Sequence, residues 1–173
     1  VYMIFTWHQD SMISISGDAS DIWKTITSFH TKDIYGSYVL YKGINSVFPY
    51  VWLYDLARLL NINEWFFIRS FYAAAFAYIS SIGFPNMIEL LVQKETKLYR
   101  RCLCVIVMWY FWYYSLAFTQ LMVDLPCLMY YVLLINAGLK LYRGNRSILK
   151  YTLVGILSGL CMTASGQYTI PAV

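Results

Sequence analysis

Two long uncharged runs limit what this chain can fold into. "CLCVIVMWYFWYYSLAFTQLMV" (102–123) and "YTLVGILSGLCMTASGQYTIPAV" (151–173) hold no Asp, Glu, Lys or Arg. Each exceeds the roughly 20 apolar residues that a helix needs to cross a bilayer. "LPCLMYYVLLINAGL" (125–139) is shorter and reaches spanning length with its flanking turns. Soluble domains carry about a quarter of their residues as charges. This chain has 13% charged, 60% hydrophobic and 19% aromatic residues. The expectation is an integral membrane protein, all-α, built as a polytopic transmembrane helical bundle. With no cleavable signal peptide, an opening valine and an end inside an apolar stretch, it is expected to be a piece of a longer polytopic chain.

Basic residues set an orientation. Eight of the thirteen Lys and Arg fall in "KETKLYRR" (94–101) and "KLYRGNRSILK" (140–150). Short membrane loops rich in Lys and Arg stay cytoplasmic. Both can do so only if an even number of spans separates them, so 102–122 is expected to run outward and 124–142 to return. Asp124 then opens a helix at the outer face. "WFFIRSFYAAAFAYISSI" (65–82) is expected to run inward, which leaves residues 1–64 outside. That region has six acids against four Lys and Arg, the reverse of the cytoplasmic loops. Two regions follow: an outer loop over 1–64 and a membrane region over 65–173 with about four spans. The net charge of +4 reflects this topology and calls for no nucleic-acid partner.

Within the outer loop, "DIWKTITSFHTK" sets Ile22, Trp23, Ile26 and Phe29 on one helical face, an amphipathic helix suited to the membrane interface. "INSVFPYVWLYDLARLL" (44–60) carries Pro49, Asp55 and Arg58 and is expected as a second juxtamembrane helix, interfacial or re-entrant. Cys102, Cys104, Cys127 and Cys161 lie in apolar spans, with no CxxC pair or nearby histidine. They read as core thiols. His8 and His30 have no spaced partners, and neither a metal nor a cofactor is expected.

"SISGDASDIWKT" (14–25) keeps two carboxylates, Asp18 and Asp21, where a loop opens a helix. Helix capping is their simplest role, because early acids accept orphan N–H bonds and suit the helix dipole. A wider pattern surrounds them: "GDASDIW" (17–23), "YKGINSVFPYVWLYDLARLLNINEWFFIRSFYAAAF" (41–76), "QLMVDLPCLMYYVLL" (120–134) and "ILKYTLVGILSGLCMTASGQY" (148–168). In order and spacing it resembles the N-terminal part of the GT-C superfamily of polytopic membrane glycosyltransferases, which includes protein O-mannosyltransferases and aminoarabinose lipid A transferases. The likeness covers most of the chain, and no single motif in it is specific.

The resemblance implies transfer of a sugar from a polyprenyl-phosphate donor to an acceptor at the outer face. An acid of the first outer loop serves as catalytic base in that family. Asp18 matches its position, and Asp21 stands as the second candidate, because the chain has Asp-Ala-Ser-Asp where Asp-Glu or Glu-x-x-Tyr is usual. A basic residue before the second juxtamembrane segment meets the donor phosphate. Lys42 matches it loosely, with Gly43 where proline is usual. The arginine opening the next span resembles Arg69, and the acid at the outer end of a later span resembles Asp124. Tyr41, with Tyr35 and Tyr38, is a candidate lining of the sugar site.

The residue types suit the chemistry. An acceptor hydroxyl must lose a proton as it attacks the anomeric carbon, and a carboxylate within hydrogen-bond reach accepts it. The departing phosphate needs a cation to meet its charge. Each residue also has a plainer role: interface snorkelling for Arg69, a surface anchor for Lys42, a helix-dipole acid for Asp124, a local i,i+3 pair for Asp55 and Arg58. A multi-pass transporter or lipid flippase is the alternative function. It calls for charges at mid-membrane and inverted repeats, and the sequence shows neither. A non-enzymatic scaffold has no need of Asp18, Lys42, Arg69 and Asp124 on one side. Expected partners are the bilayer, the donor lipid and a glycan, lipid or protein acceptor.

Overall fold

A computed structural model describes residues 18–29, 43–113, 123–144 and 147–164. Among these residues the chain is all-α, as its composition implies, with no strand. The helices are α1 (Asp18–Ser28), α2 (Ile44–Leu60), α3 (Glu64–Tyr78), α4 (Phe84–Val92), α5 (Leu98–Tyr113), α6 (Asp124–Tyr142) and α7 (Ile148–Ala164). A five-residue π turn, Ile79–Gly83, carries α3 into α4 without a break.

Two of the described helices are long and apolar enough to cross a membrane: Glu64–Val92, with 29 residues, and Asp124–Tyr142, with 19. Only 33% of the most apolar stretch of each is buried in the fold. An all-apolar helix inside a soluble protein is instead enclosed on most sides. α7 is apolar but shorter, at 17 residues. The span expected over 102–122 begins within α5 and passes out of the described residues after Tyr113.

The segment expected to end at residue 82 continues to Val92, and local chemistry explains how. Phe84 N–H reaches back to Ile79 O, the wider π spacing. Pro85 sits in the first turn of α4, where a missing N–H is tolerated. It still leaves the carbonyl four residues back, Ser81 O, without its usual donor, and Arg101 Nη1 of α5 supplies one at 3.2 Å. Asn136 Nδ2 of α6 donates to Gly83 O at 3.0 Å and to Val132 O at 2.9 Å. Helix-breaking residues survive in apolar surroundings when neighbouring side chains satisfy the backbone in this way.

Arg101 also donates through Nη2 to Glu89 Oε1 (2.6 Å) and Asn86 Oδ1 (3.2 Å). Arg101→Leu is therefore expected to lower stability by about 1.5–3 kcal/mol, the typical contribution of hydrogen bonds to a charged group. The unfolding midpoint of the detergent-solubilised chain measures it. Arg100 bonds its own neighbour Tyr99, so Arg100→Leu is expected to change stability by less than about 0.5 kcal/mol. Equal losses in the two variants would remove this account of the π turn.

Side-chain contacts set the stagger of the helices. α4 and α6 run parallel, with Gly83 against Val132 and Asn136, and with Asn86 and Gln93 facing Lys140 and Arg143. A Cβ on Gly83 would stand 2.5 Å from Val132 Cγ1, closer than real Cβ atoms come. α5 runs the other way, since Arg101 near its start meets Glu89 near the end of α4. α7 returns along α6, with Leu157 and Cys161 packed on Leu134.

At the opposite end, α1 and α2 clasp α3. Tyr50 stacks on Tyr72 (centroids 5.8 Å, 20°) and Trp23 on Trp65 (4.6 Å, 16°), while Trp23 meets Tyr54 edge-on at 5.8 Å. One apolar core joins Ala19, Ile22 and Ile26 to Val47, Tyr50, Ile68 and Tyr72, and on to Val123 and Leu125. The apolar face of α1, expected to lie on the membrane, thus packs on protein.

The outer faces stay apolar. α2 buries Val47, Tyr50, Val51 and Ala57 and exposes Ile44, Phe48, Trp52, Leu56 and Leu59 as a stripe at helical spacing. α5 does the same with Tyr99, Leu103, Ile106 and Tyr110. Soluble monomers rarely carry contiguous apolar surface on this scale, whereas hydrocarbon accommodates it.

Candidate functional site

Asp18 opens α1. The helix forms because Ala19, Ile22 and Ile26 recur at helical spacing and all three are buried. Its hydroxyls turn back on its own carbonyls, as in Thr25 Oγ1 to Asp21 O at 2.7 Å. Asp21 is exposed, and Lys24 Nζ lies 3.9 Å from its Oδ1, with the two side chains 57% and 75% exposed. A pair this open to solvent contributes about 0–1 kcal/mol.

Arg69 lies on the core-facing side of α3 with Ile68, Tyr72 and Phe76 and is 4% exposed. The helix is capped by Asn63, whose side-chain oxygen accepts the Trp65 N–H at 2.9 Å, and Glu64 in the first turn suits the dipole. The snorkelling role open to Arg69 in the sequence does not describe this geometry. Its guanidinium is enclosed by the fold, an arrangement that costs several kcal/mol unless acceptors meet it.

Asp124 is half-buried in the first turn of α6. The N-cap position belongs to Val123, so the acid sits one place inside the helix, favoured by the dipole. Its neighbours Val123 and Leu125 belong to the same apolar core as Ile68 and Tyr72. Lys42 and Tyr41, with Tyr35 and Tyr38, lie outside the described residues.

The stagger decides which of these residues share a level. Trp23 meets Tyr54 and Phe29 meets Phe48, so α1 is antiparallel to α2 and Asp18 falls level with the last turn of α2. Gly43, next to Lys42, marks the first turn, where its backbone touches Thr163 and Ala164 of α7. At 1.5 Å per residue these levels are about 24 Å apart along the α2 axis. The structure therefore sets Asp18 and Gly43 at opposite ends of α2. Tyr72 opposite Tyr50, with Trp23 meeting both Tyr54 and Trp65, places Arg69 beside the middle of α2, about 10 Å from the level of Asp18. The parallel match of Gly83 with Val132 puts Asp124 level with the last turn of α3, about 9 Å beyond Arg69. The order along the bundle is Asp18, Arg69, Asp124.

Two features escaped sequence reasoning. Asn136 is 6% exposed inside an apolar helix, and its pairing with the Gly83 carbonyl was signalled only by a lone amide in an uncharged run. Lys94, Lys140 and Arg143 are legible as topology markers, yet they also line a common cleft. Among the cysteines, Cys127 and Cys161 are buried, whereas Cys102 is exposed, which departs from a core thiol. Among the described residues no three His, Cys, Asp or Glu gather as a metal site would require. No family model, curated protein or solved structure matches the chain.

Proposed function

We propose that this chain belongs to a multi-pass membrane glycosyltransferase acting at the outer face of the cell membrane. It moves a sugar from a polyprenyl-phosphate donor, with Asp18 as base and Arg69 meeting the donor phosphate. The level of Arg69 is the observation that supports this reading.

Glu64–Val92 is 29 residues long, about 44 Å, and so exceeds a hydrocarbon core of about 30 Å by about 14 Å. Lys94 and Lys97 follow its end and belong at the cytoplasmic surface. About twenty residues then fill the bilayer, and the outer boundary falls near Tyr72. α6, at 19 residues, spans the same slab from Asp124 inward. Arg69 lies one turn beyond the hydrocarbon, at the depth of lipid phosphates. Asp18 stands about 10 Å further out along the bundle axis.

In a single displacement the acceptor oxygen bonds to the anomeric carbon and its proton passes to the Asp18 carboxylate. The bond from that carbon to the phosphate oxygen breaks, and polyprenyl phosphate leaves with its new charge facing Arg69. Burial of the guanidinium strengthens that contact, because water does not screen it. Asp124 orders the outer end of its span.

Arg69→Gln in the full-length enzyme is expected to lower kcat/KM for the donor by about 10–150-fold, corresponding to the loss of about 1.5–3 kcal/mol of charge-assisted bonding to phosphate. Arg69→Lys should recover part of the loss, since it keeps the charge without the planar fork. Normal transfer in a stably folded Arg69→Gln enzyme would overturn the assignment.

A further inference from the structure

The basic end of the bundle carries a cleft of about 480 Å³ between the C-terminal ends of α4 and α6. Gln93, Lys94 and Glu95 from the turn after α4 face Lys140 and Arg143 across it. Glu89 also lines the cleft, but Arg101 holds its carboxylate at 2.6 Å and the Thr96 N–H donates to it at 2.8 Å. Three cations then face one remaining acid, an excess of two positive charges. Among the described residues Lys94, Lys140 and Arg143 form no ion pair.

Helix dipoles favour cations at helix ends, and the basic-loop pattern accounts for their side of the membrane. Neither explains a recess of this size with cations on both walls. Leu90 of α4 lines it as well, and the exposed Ile88 and Leu91 lie on the other face of that helix. The recess stands at the common end of the two candidate spans, Glu64–Val92 and Asp124–Tyr142, the level at which a phospholipid headgroup meets a bundle. Basic pockets between helices at the cytoplasmic side are suited to anionic headgroups. We infer that the cleft binds the headgroup of an anionic phospholipid of the cytoplasmic leaflet. Lys94, Lys140 and Arg143 hold its phosphate. This requires only that the basic end meets the membrane surface, and it does not depend on sugar transfer.

Calorimetric titration of dioctanoyl phosphatidylglycerol into the full-length chain, purified in a neutral detergent, tests the inference. Saturable binding is expected, weakened about tenfold or more by Lys140→Gln combined with Arg143→Gln. Lys94→Gln should weaken it about tenfold as well, and it supplies the readout if the double variant does not fold. Lys150→Gln, an equal loss of charge on α7 outside the cleft, should leave affinity unchanged. Dioctanoyl phosphatidylcholine, whose choline neutralises its phosphate, should bind about tenfold more weakly than the anionic lipid. Absence of saturable binding, equal weakening by Lys150→Gln, or equal affinity for phosphatidylcholine would overturn the inference. Equally tight binding of inorganic phosphate would overturn it too, by making the cleft a site for a free anion.

Discussion

Asp18→Asn is expected to slow sugar transfer by roughly 10²–10⁴-fold, the usual contribution of a positioned general base, while leaving the fold intact. The substitution separates two roles that share one position. As a helix cap, asparagine serves about as well as aspartate, so a purely structural Asp18 would tolerate it. As a base, an amide has no useful affinity for the proton of an acceptor hydroxyl. Asp21→Asn is expected to cost little, because Asp21 is exposed and pairs with the solvent-exposed Lys24. Turnover of polyprenyl-phosphate donor by the two purified full-length variants, with thermal stability followed in parallel, measures both. Near-normal turnover of Asp18→Asn would end its candidacy, and a collapse confined to Asp21→Asn would transfer the role there.

Gly43→Ala is expected to destabilise the chain by about 2–6 kcal/mol. Gly43 has φ 83° and ψ 145°, a conformation open in practice to glycine, and forcing a side chain into it costs about 1–3 kcal/mol. The added Cβ would also press on the carbonyl oxygens of Thr163 and Ala164, 2.8 Å from the latter. Those are backbone atoms at the end of α7 and cannot swing aside, so overpacking adds about 1–3 kcal/mol. The same seam holds Asn45 Nδ2 donating to Thr163 Oγ1 and Ser46 Oγ donating to Gly43 O at 2.7 Å. Gly138→Ala in α6 is the matched control, because a Cβ there meets nothing within 4 Å and alanine favours a helix by about 1 kcal/mol. Unfolding midpoints of the two variants in one detergent distinguish them. A Gly43→Ala chain as stable as Gly138→Ala would show that α2 does not close on α7.

Local pattern by itself determined much of the fold. The apolar stretches at 44–60 and 124–142 coincide with Ile44–Leu60 and Asp124–Tyr142, and the buried face of α1 follows from the spacing of Ile22 and Ile26. Hydrophobic period and cap residues are short-range signals, and they suffice to say where a helix runs and which face it buries. They carry no information about level. Helices that are apolar on most faces can slide past one another in steps of 1.5 Å per residue with little change in area buried. Only matched shapes and polar contacts stop the slide: Gly83 against Val132, Asn136 on the Gly83 carbonyl, Gly43 against α7, Trp23 on Trp65. Those pairings come from residues far apart in the chain. They carried α3 through Gly83 and Pro85 to Val92, enclosed Arg69, and set Asp18 and Gly43 at opposite ends of α2.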